Sequence, residues 1–121
     1  MSYVDGFVLP VPKDKMDAYK ALAEKVGPIW IEHGALQYME CWGDDLEDNG
    51  FSLTFPQMVE PKEGETVVFS YIVYKSREHR DEVNAKVMAD TRMKDGDKMP
   101  DMPFDCKRMA YGGFKTIVNL G

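Results

Sequence analysis

The chain has 121 residues, of which 44% are hydrophobic and 30% charged. That is the length and composition of one soluble globular domain, residues 1–121, with enough apolar material for a core. The net charge of −6 works against binding phosphate backbones and anionic membrane surfaces, so neither nucleic acid nor membrane is expected as a partner.

Cys41 and Cys106 make no CxxC pair and no Cys/His group with metal-ligand spacing, and neither a metal nor a cofactor is expected. The opening MSYVDGFV has no basic start and no apolar stretch, and no apolar run approaches the ~20 residues a bilayer-spanning helix needs. A cytoplasmic location with reduced thiols follows as the expectation.

Residues 3–11 read as a strand, with Tyr3, Asp5, Phe7 and Leu9 on one face, ended by Pro10 and Pro12. Residues 13–33 read as a helix whose stripe is Met16, Tyr19, Leu22, Ala23, Val26, Ile29 and Trp30. Gly27-Pro28 predicts a kink in it, and Gly34 suits a left-handed residue after its end. A second strand is predicted over 35–42, then the acidic loop 43–50. The apolar stretch 51–61 reads as a short strand or an ordered excursion, and 60–65 as a turn.

The run TVVFSYIVY, residues 66–74, is the third strand and the centre of the chain. It is apolar on both faces, so both faces need cover. Residues 76–91 read as a second helix, capped by Ser76 and buried along Val83 and Val87. A Met- and Pro-rich loop follows over 92–105, with one further helical turn. The fourth strand is predicted over 107–118, with Gly112-Gly113 at its centre.

The order β-α-β-β-α-β predicts an α+β fold, a ferredoxin-like sandwich of one antiparallel sheet with both helices on one face. The other sheet face is left bare and apolar. A homodimer packing sheet on sheet covers it, burying more than ~1,200 Å² in total. In the strand order 4-1-3-2, Cys41 and Cys106 lie at opposite sheet edges and are not joined within one chain.

YVDGF, HGAL with ECW, ETVVFSYIVY, NAKVMAD and MPFDCKRMAYGGF together resemble the YbaA-like family of small bacterial proteins of unknown function. The resemblance covers nearly the whole chain. It implies membership of the dimeric α/β-barrel superfamily, hence a ferredoxin-like homodimer among relatives that include cofactor-free monooxygenases and plain ligand binders. It implies no catalytic residues. Thr91 stands where a proline is usual in the family and should extend the second helix, while Cys106 replaces a usual glycine at the mouth of the fourth strand.

Polar residues in strands that should be buried are the candidate ligand-binding residues: Asp5, Glu40, Ser70, Arg108 and Tyr111. Two carboxylates and an arginine near one cavity would hold and polarise a small acid or quinone-like ligand, and burial would suit a carboxyl to proton transfer. The plainer reading of the same residues is a structural ion pair or a solvated edge. His79 lines up with Val83 and Val87, as a proton carrier or as a core-edge histidine bonded to a carbonyl. His33 falls at a helix C-terminus, where its charge is favoured. Tyr19, Trp30, Trp42 and Tyr111 would line an aromatic pocket or fill core.

Asp45, Glu47, Asn49 and Gly50 imitate the start of a calcium loop, but Pro56 stands where its last ligand belongs. Met93, Met99, Met102 and Met109 read as gap fillers before soft-metal ligands. Two functions remain. One is a dimeric protein binding a small hydrophobic or aromatic ligand between sheet and helices, as a binder or a cofactor-free enzyme. The alternative is a non-catalytic dimeric interaction or regulatory protein.

Overall fold

Two ten-residue strands, β1 (Tyr3–Pro12) and β3 (Glu65–Tyr74), pair antiparallel along their whole length, from Tyr3 opposite Tyr74 to Pro12 opposite Glu65. This pair is the middle of the sheet in the computed structural model, which describes residues 1–94 and 103–121. Met99 and Met102 lie outside the described residues. Strand β2 (Gln37–Trp42) adds antiparallel to β3, and β4 (Ala110–Lys115) adds antiparallel to β1, giving the order β2-β3-β1-β4. That is the expected α+β, ferredoxin-like sheet.

Alternation along these strands divides the sheet into two faces. Asp5, Phe7 and Leu9 of β1 register against Ile72, Ser70 and Val68 of β3, and these in turn against Tyr38, Glu40 and Trp42 of β2. This face lies under the helices. Ile72, Tyr74, Val83, Val87 and Ile29 form one buried cluster that joins β3 to α1 (Met16–Glu32) and α3 (Arg77–Ala89). Leu9, Val11, Tyr19 and Val68 form a second. On the opposite face Val4, Val8, Met39, Phe69, Tyr71, Val73 and Phe114 point away from α1 and α3; the Phe55 ring lies 6.2 Å from that of Phe69, and Phe69 and Phe114 remain 42% and 62% exposed.

The helix ends follow their local chemistry. The N–H groups of Gly34 and Ala35 bond back to the carbonyls of Ile31 and Trp30, and Gly34 takes φ +118°, a left-handed close that only glycine enters freely. Ser76 Oγ accepts from the His79 N–H at 3.1 Å and caps α3. Helix α1 is continuous through Pro28 and is preceded by a 3-10 turn at Lys13–Lys15.

Four boundaries differ from expectation. β1 runs on through Pro10, because β4 pairs with it only as far as Val8 and the proline then occupies an edge position. Residues 55–59 form a short helix, α2 (Phe55–Val59), closed by a reciprocal capping box between Thr54 and Gln57. Thr91 does not extend α3. The Asp90 carboxylate accepts from the Arg92 N–H at 2.9 Å, and this local bond breaks the helix and opens a new turn, α4 (Thr91–Lys94). Cys106 and Arg108 sit in a 3-10 turn ahead of β4, not in the strand, because Asp105 caps the Lys107 N–H. Cys41 and Cys106 are both free thiols, in an edge strand on one side and beside the other edge strand on the far side. Among the described residues no helix is long and apolar enough to cross a membrane.

Candidate functional site

Between α1 and the helix-facing side of the sheet lies a cavity of about 220 Å³. Phe7 and Leu9 of β1, Leu22, Val26 and Trp30 of α1, and Ile72 of β3 are part of its wall, closed by Met93 of α4 and by Phe104 and Met109 beside the 3-10 turn. A neighbouring space of about 310 Å³ opens outward and shares Tyr19, Ala23, Tyr38 and Glu40 with it. Gly27 brings α1 close enough for this arrangement, since a Cβ there would stand 3.0 Å from the Tyr38 ring.

The polar part of the wall is small and concentrated. Glu40 and Ser70 are directly opposed across β2 and β3, so both side chains reach the same point. The Tyr19 hydroxyl donates to Glu40 Oε2 at 2.6 Å. Burial pushes the Glu40 carboxyl above the ordinary carboxylate range, against the hydroxyls of Tyr19, Ser70 and Tyr38, which all favour its charged form. Burial, and then the carboxyl itself, hold the Tyr19 and Tyr38 phenols well above their usual range. Chemically, this is a hydrogen-bonding carboxyl ringed by hydroxyls in an otherwise apolar, aromatic cleft.

The other sequence candidates lie elsewhere. Asp5, 1% exposed, meets Arg80 of α3, whose Nη1 is 2.9 Å from its Oδ1 and 2.9 Å from the Tyr111 hydroxyl. Burial raises the Asp5 carboxyl pKa against the pull of Arg80, then Tyr111, Asn84 and Tyr74. The Arg80 guanidinium also lies over the Tyr3 ring, 5.0 Å from its centroid. Asn84 accepts from Trp30 Nε1 and from the Tyr74 hydroxyl, tying α1, α3 and β3 together around this pair. Asp5 and Tyr111 are thus parts of a structural network.

Arg108 does not meet Asp5. It forks onto both Glu65 oxygens at 2.8 Å and reaches the Glu60 carbonyl at 3.3 Å. The Arg108 hydrogen bond, acting against burial, lowers the Glu65 pKa to about 2. His79 does not line the cavity, and its Nδ1 accepts from the Lys75 N–H at 3.0 Å, a backbone amide where a carbonyl was expected. His33 bonds Asp90 at 2.8 Å at the end of α1. Of the six candidates, only Glu40 and Ser70 come together at the cavity.

Arg80 and Glu65 escaped the sequence reading. Arg80 lies three residues before Val83 and seven before Val87, a spacing that puts it on the buried stripe of α3. Tyr38 alternates with Glu40 on β2, which places both on one face.

Comparison with known proteins places the chain in a family and agrees with its fold. The sequence profile described as "Protein of unknown function (DUF1428)" matches residues 2–106. The uncharacterized protein YbaA of Escherichia coli strain K12 is 50% identical over 119 residues, 98% of this chain and 99% of the relative. YbaA of Shigella flexneri matches to the same extent. Among solved structures, an antibiotic biosynthesis monooxygenase-type protein from Nitrosomonas europaea superposes with TM-score 0.56 at 16% identity, over 99% of this chain and 94% of that one. A nipsnap family protein of unknown function from Agrobacterium tumefaciens gives 0.58 at 15%, over 95% and 87%. At these identities the likeness is one of fold.

Proposed function

Because the chain belongs to the DUF1428 family, whose description carries no activity, its role rests on its own cleft, and we propose that it is a homodimeric binding protein for a small hydrophobic or aromatic molecule. The observation that carries this reading is the apolar cavity with Glu40, Ser70, Tyr19 and Tyr38 converging at one point of its wall. Burial opposes the charge of Asp5 as well, but Arg80 pairs with it, whereas among the described residues Glu40 has hydroxyl neighbours and no cation to offset the cost of its burial. Ligand cavities combine an apolar lining with a few polar groups that fix orientation. A volume of about 220 Å³ suits a ligand of one ring and a few further atoms.

The homodimer is supported by the uncovered sheet face. Phe69, Tyr71, Phe114, Met39 and the β-branched residues between them make a continuous apolar surface. A patch of that kind on a sheet is normally an interface, and the same surface on a second copy is the simplest match. Binding is tested by the fluorescence of Trp30, which lines the cavity, and of Trp42, which lines the outer space, during titration with one-ring aromatic compounds. A saturable change is the expected result. An emission that no compound alters, with no shift in melting temperature, refutes the reading. Light scattering tests assembly, with a particle of twice the 13.8 kDa chain mass expected at micromolar concentration.

A further inference from the structure

The charge balance around Glu40 narrows what the cleft takes. Among the described residues, neither Lys nor Arg lines the inner cavity. The nearby cations are engaged elsewhere. Arg108 is forked onto Glu65, and Arg80 is held by Asp5 and Asp81. Arg92 is shared between Glu32 and Asp90. Lys20, at the outer space, is 3.9 Å from Glu24 with its side chain 71% exposed. Among the described residues, the one carboxyl of the inner wall therefore stands with hydroxyls and rings for neighbours and no cation.

We infer that the ligand brings the missing charge: the cleft selects an ammonium group on a one- or two-ring apolar body, with Glu40 as its counter-ion, and rejects carboxylates. This rests on the reading of the cleft as a ligand site. A buried carboxylate gains when a cation arrives, because pairing offsets a desolvation cost already present in the empty protein. The geometry provides for it. The Tyr19 hydroxyl occupies one lone pair of Glu40 Oε2 and the Ser70 and Tyr38 hydroxyls also act on the carboxyl, so of its roughly four acceptor sites one is left for an ammonium donor. Aromatic faces stand on several sides, with Trp30 and Tyr38 rings 6.2 Å apart and Tyr19 and Phe104 rings 5.6 Å apart, a setting that attracts a cation once water is excluded. A carboxylate ligand would meet Glu40 with no cation of the described residues between them, so the small acid suggested by the sequence loses the arginine it required.

The test is a matched series on the folded wild-type protein: 2-phenylethylamine, 2-phenylethanol and phenylacetate, with their naphthyl counterparts, followed by calorimetry and tryptophan fluorescence at neutral pH. Expected is an amine that binds roughly tenfold or more tighter than the alcohol, with no detectable binding of the acid. Glu40→Gln, which keeps an acceptor for Tyr19, removes the amine's lead over the alcohol. An alcohol or acid that binds as well as the amine overturns the inference while leaving the cleft as a ligand site. So does an amine lead that survives in Glu40→Gln. If none of the six compounds binds, the inference and the cleft reading fall together. The wild-type comparison decides between amine and acid even if the variant does not fold.

Discussion

Arg80→Met should destabilise the protein more than Asp5→Asn, and its deficit should shrink in mild acid. The two side chains are not equivalently placed. Asp5 is 2% exposed and Arg80 13%. Removing Arg80 leaves a carboxylate stranded in the core, at a cost of ~3–5 kcal/mol near pH 7. Removing the Asp5 charge leaves Arg80 with Asp81 at 2.8 Å, the Tyr111 hydroxyl and the Tyr3 ring, so ~1–3 kcal/mol is expected. Without Arg80, burial raises the Asp5 pKa further, because the largest opposing influence is gone. A carboxyl raised above its unfolded value of ~3.9 brings no penalty below that pH, and its penalty grows as pH rises towards the folded value. The slope is at most ~1.4 kcal/mol per pH unit, so the Arg80→Met deficit should narrow by up to ~2.7 kcal/mol between pH 7 and pH 5. Urea unfolding at both pH values, at one fixed protein concentration because assembly contributes to apparent stability, measures this directly. A deficit that is the same at both pH values, or an Asp5→Asn variant less stable than Arg80→Met, refutes the reasoning.

Gly43→Ala should lose ~1–3 kcal/mol in the same assay, because the new Cβ would lie 2.6 Å from the Val67 carbonyl that the Gly43 N–H now bonds at 2.9 Å; a neutral effect would mean that the end of β2 moves freely. Glu65 has a pKa lowered to about 2, so the stability it provides is complete above ~4.5 and is lost as pH falls towards 2. The melting temperature should therefore fall less steeply over that window in Arg108→Met than in wild type, and parallel curves would show that the pair contributes nothing to acid sensitivity. Phe69→Glu combined with Phe114→Glu should turn the proposed dimer into a monomer by light scattering while Trp30 fluorescence still reports ligand, and a particle that keeps its mass would put the interface elsewhere.

The sheet was legible because two signals agree there. TVVFSYIVY alternates on an apolar background, and breakers flank each strand, so order and pairing follow with few alternatives. The helix ends at Gly34 and Ser76 were legible for the same reason, since each has one residue suited to the geometry required. The capping box of α2 was also written in Thr54, Pro56 and Gln57, but a five-residue helix has too few turns to show a period. What escaped was decided by side-chain carboxylates competing for backbone. Asp90 breaks α3 and Asp105 turns the chain before β4, and nothing in the hydrophobic pattern announces either. The second of these misplaced Arg108, and with it the expected meeting with Asp5. Glu40 and Ser70 were recognisable as misfits in apolar strands. That they face each other depends on the β2–β3 register, which is set by the long excursion between those strands and could not be read from either strand alone.

The same register explains how one short strand serves two surfaces. Ser70 points to Glu40 and the cleft, while its neighbours Phe69 and Tyr71 point to the uncovered face. On β2, Tyr38 and Glu40 face the cleft, and Met39 between them faces away. The two surfaces are separated by one backbone layer and share no side chain. Substitutions on the open face therefore act on assembly through side-chain contact, and on the cleft only by moving β2 against β3. The ladder between these strands resists such movement, because a one-residue slip of β2 would turn its side chains over, bringing Met39 into the cleft and exposing Glu40. A carboxyl at the Glu40 position is itself a safeguard of that register. It is accommodated where the Tyr19 hydroxyl meets it, and in the slipped pairing that hydrogen bond is lost.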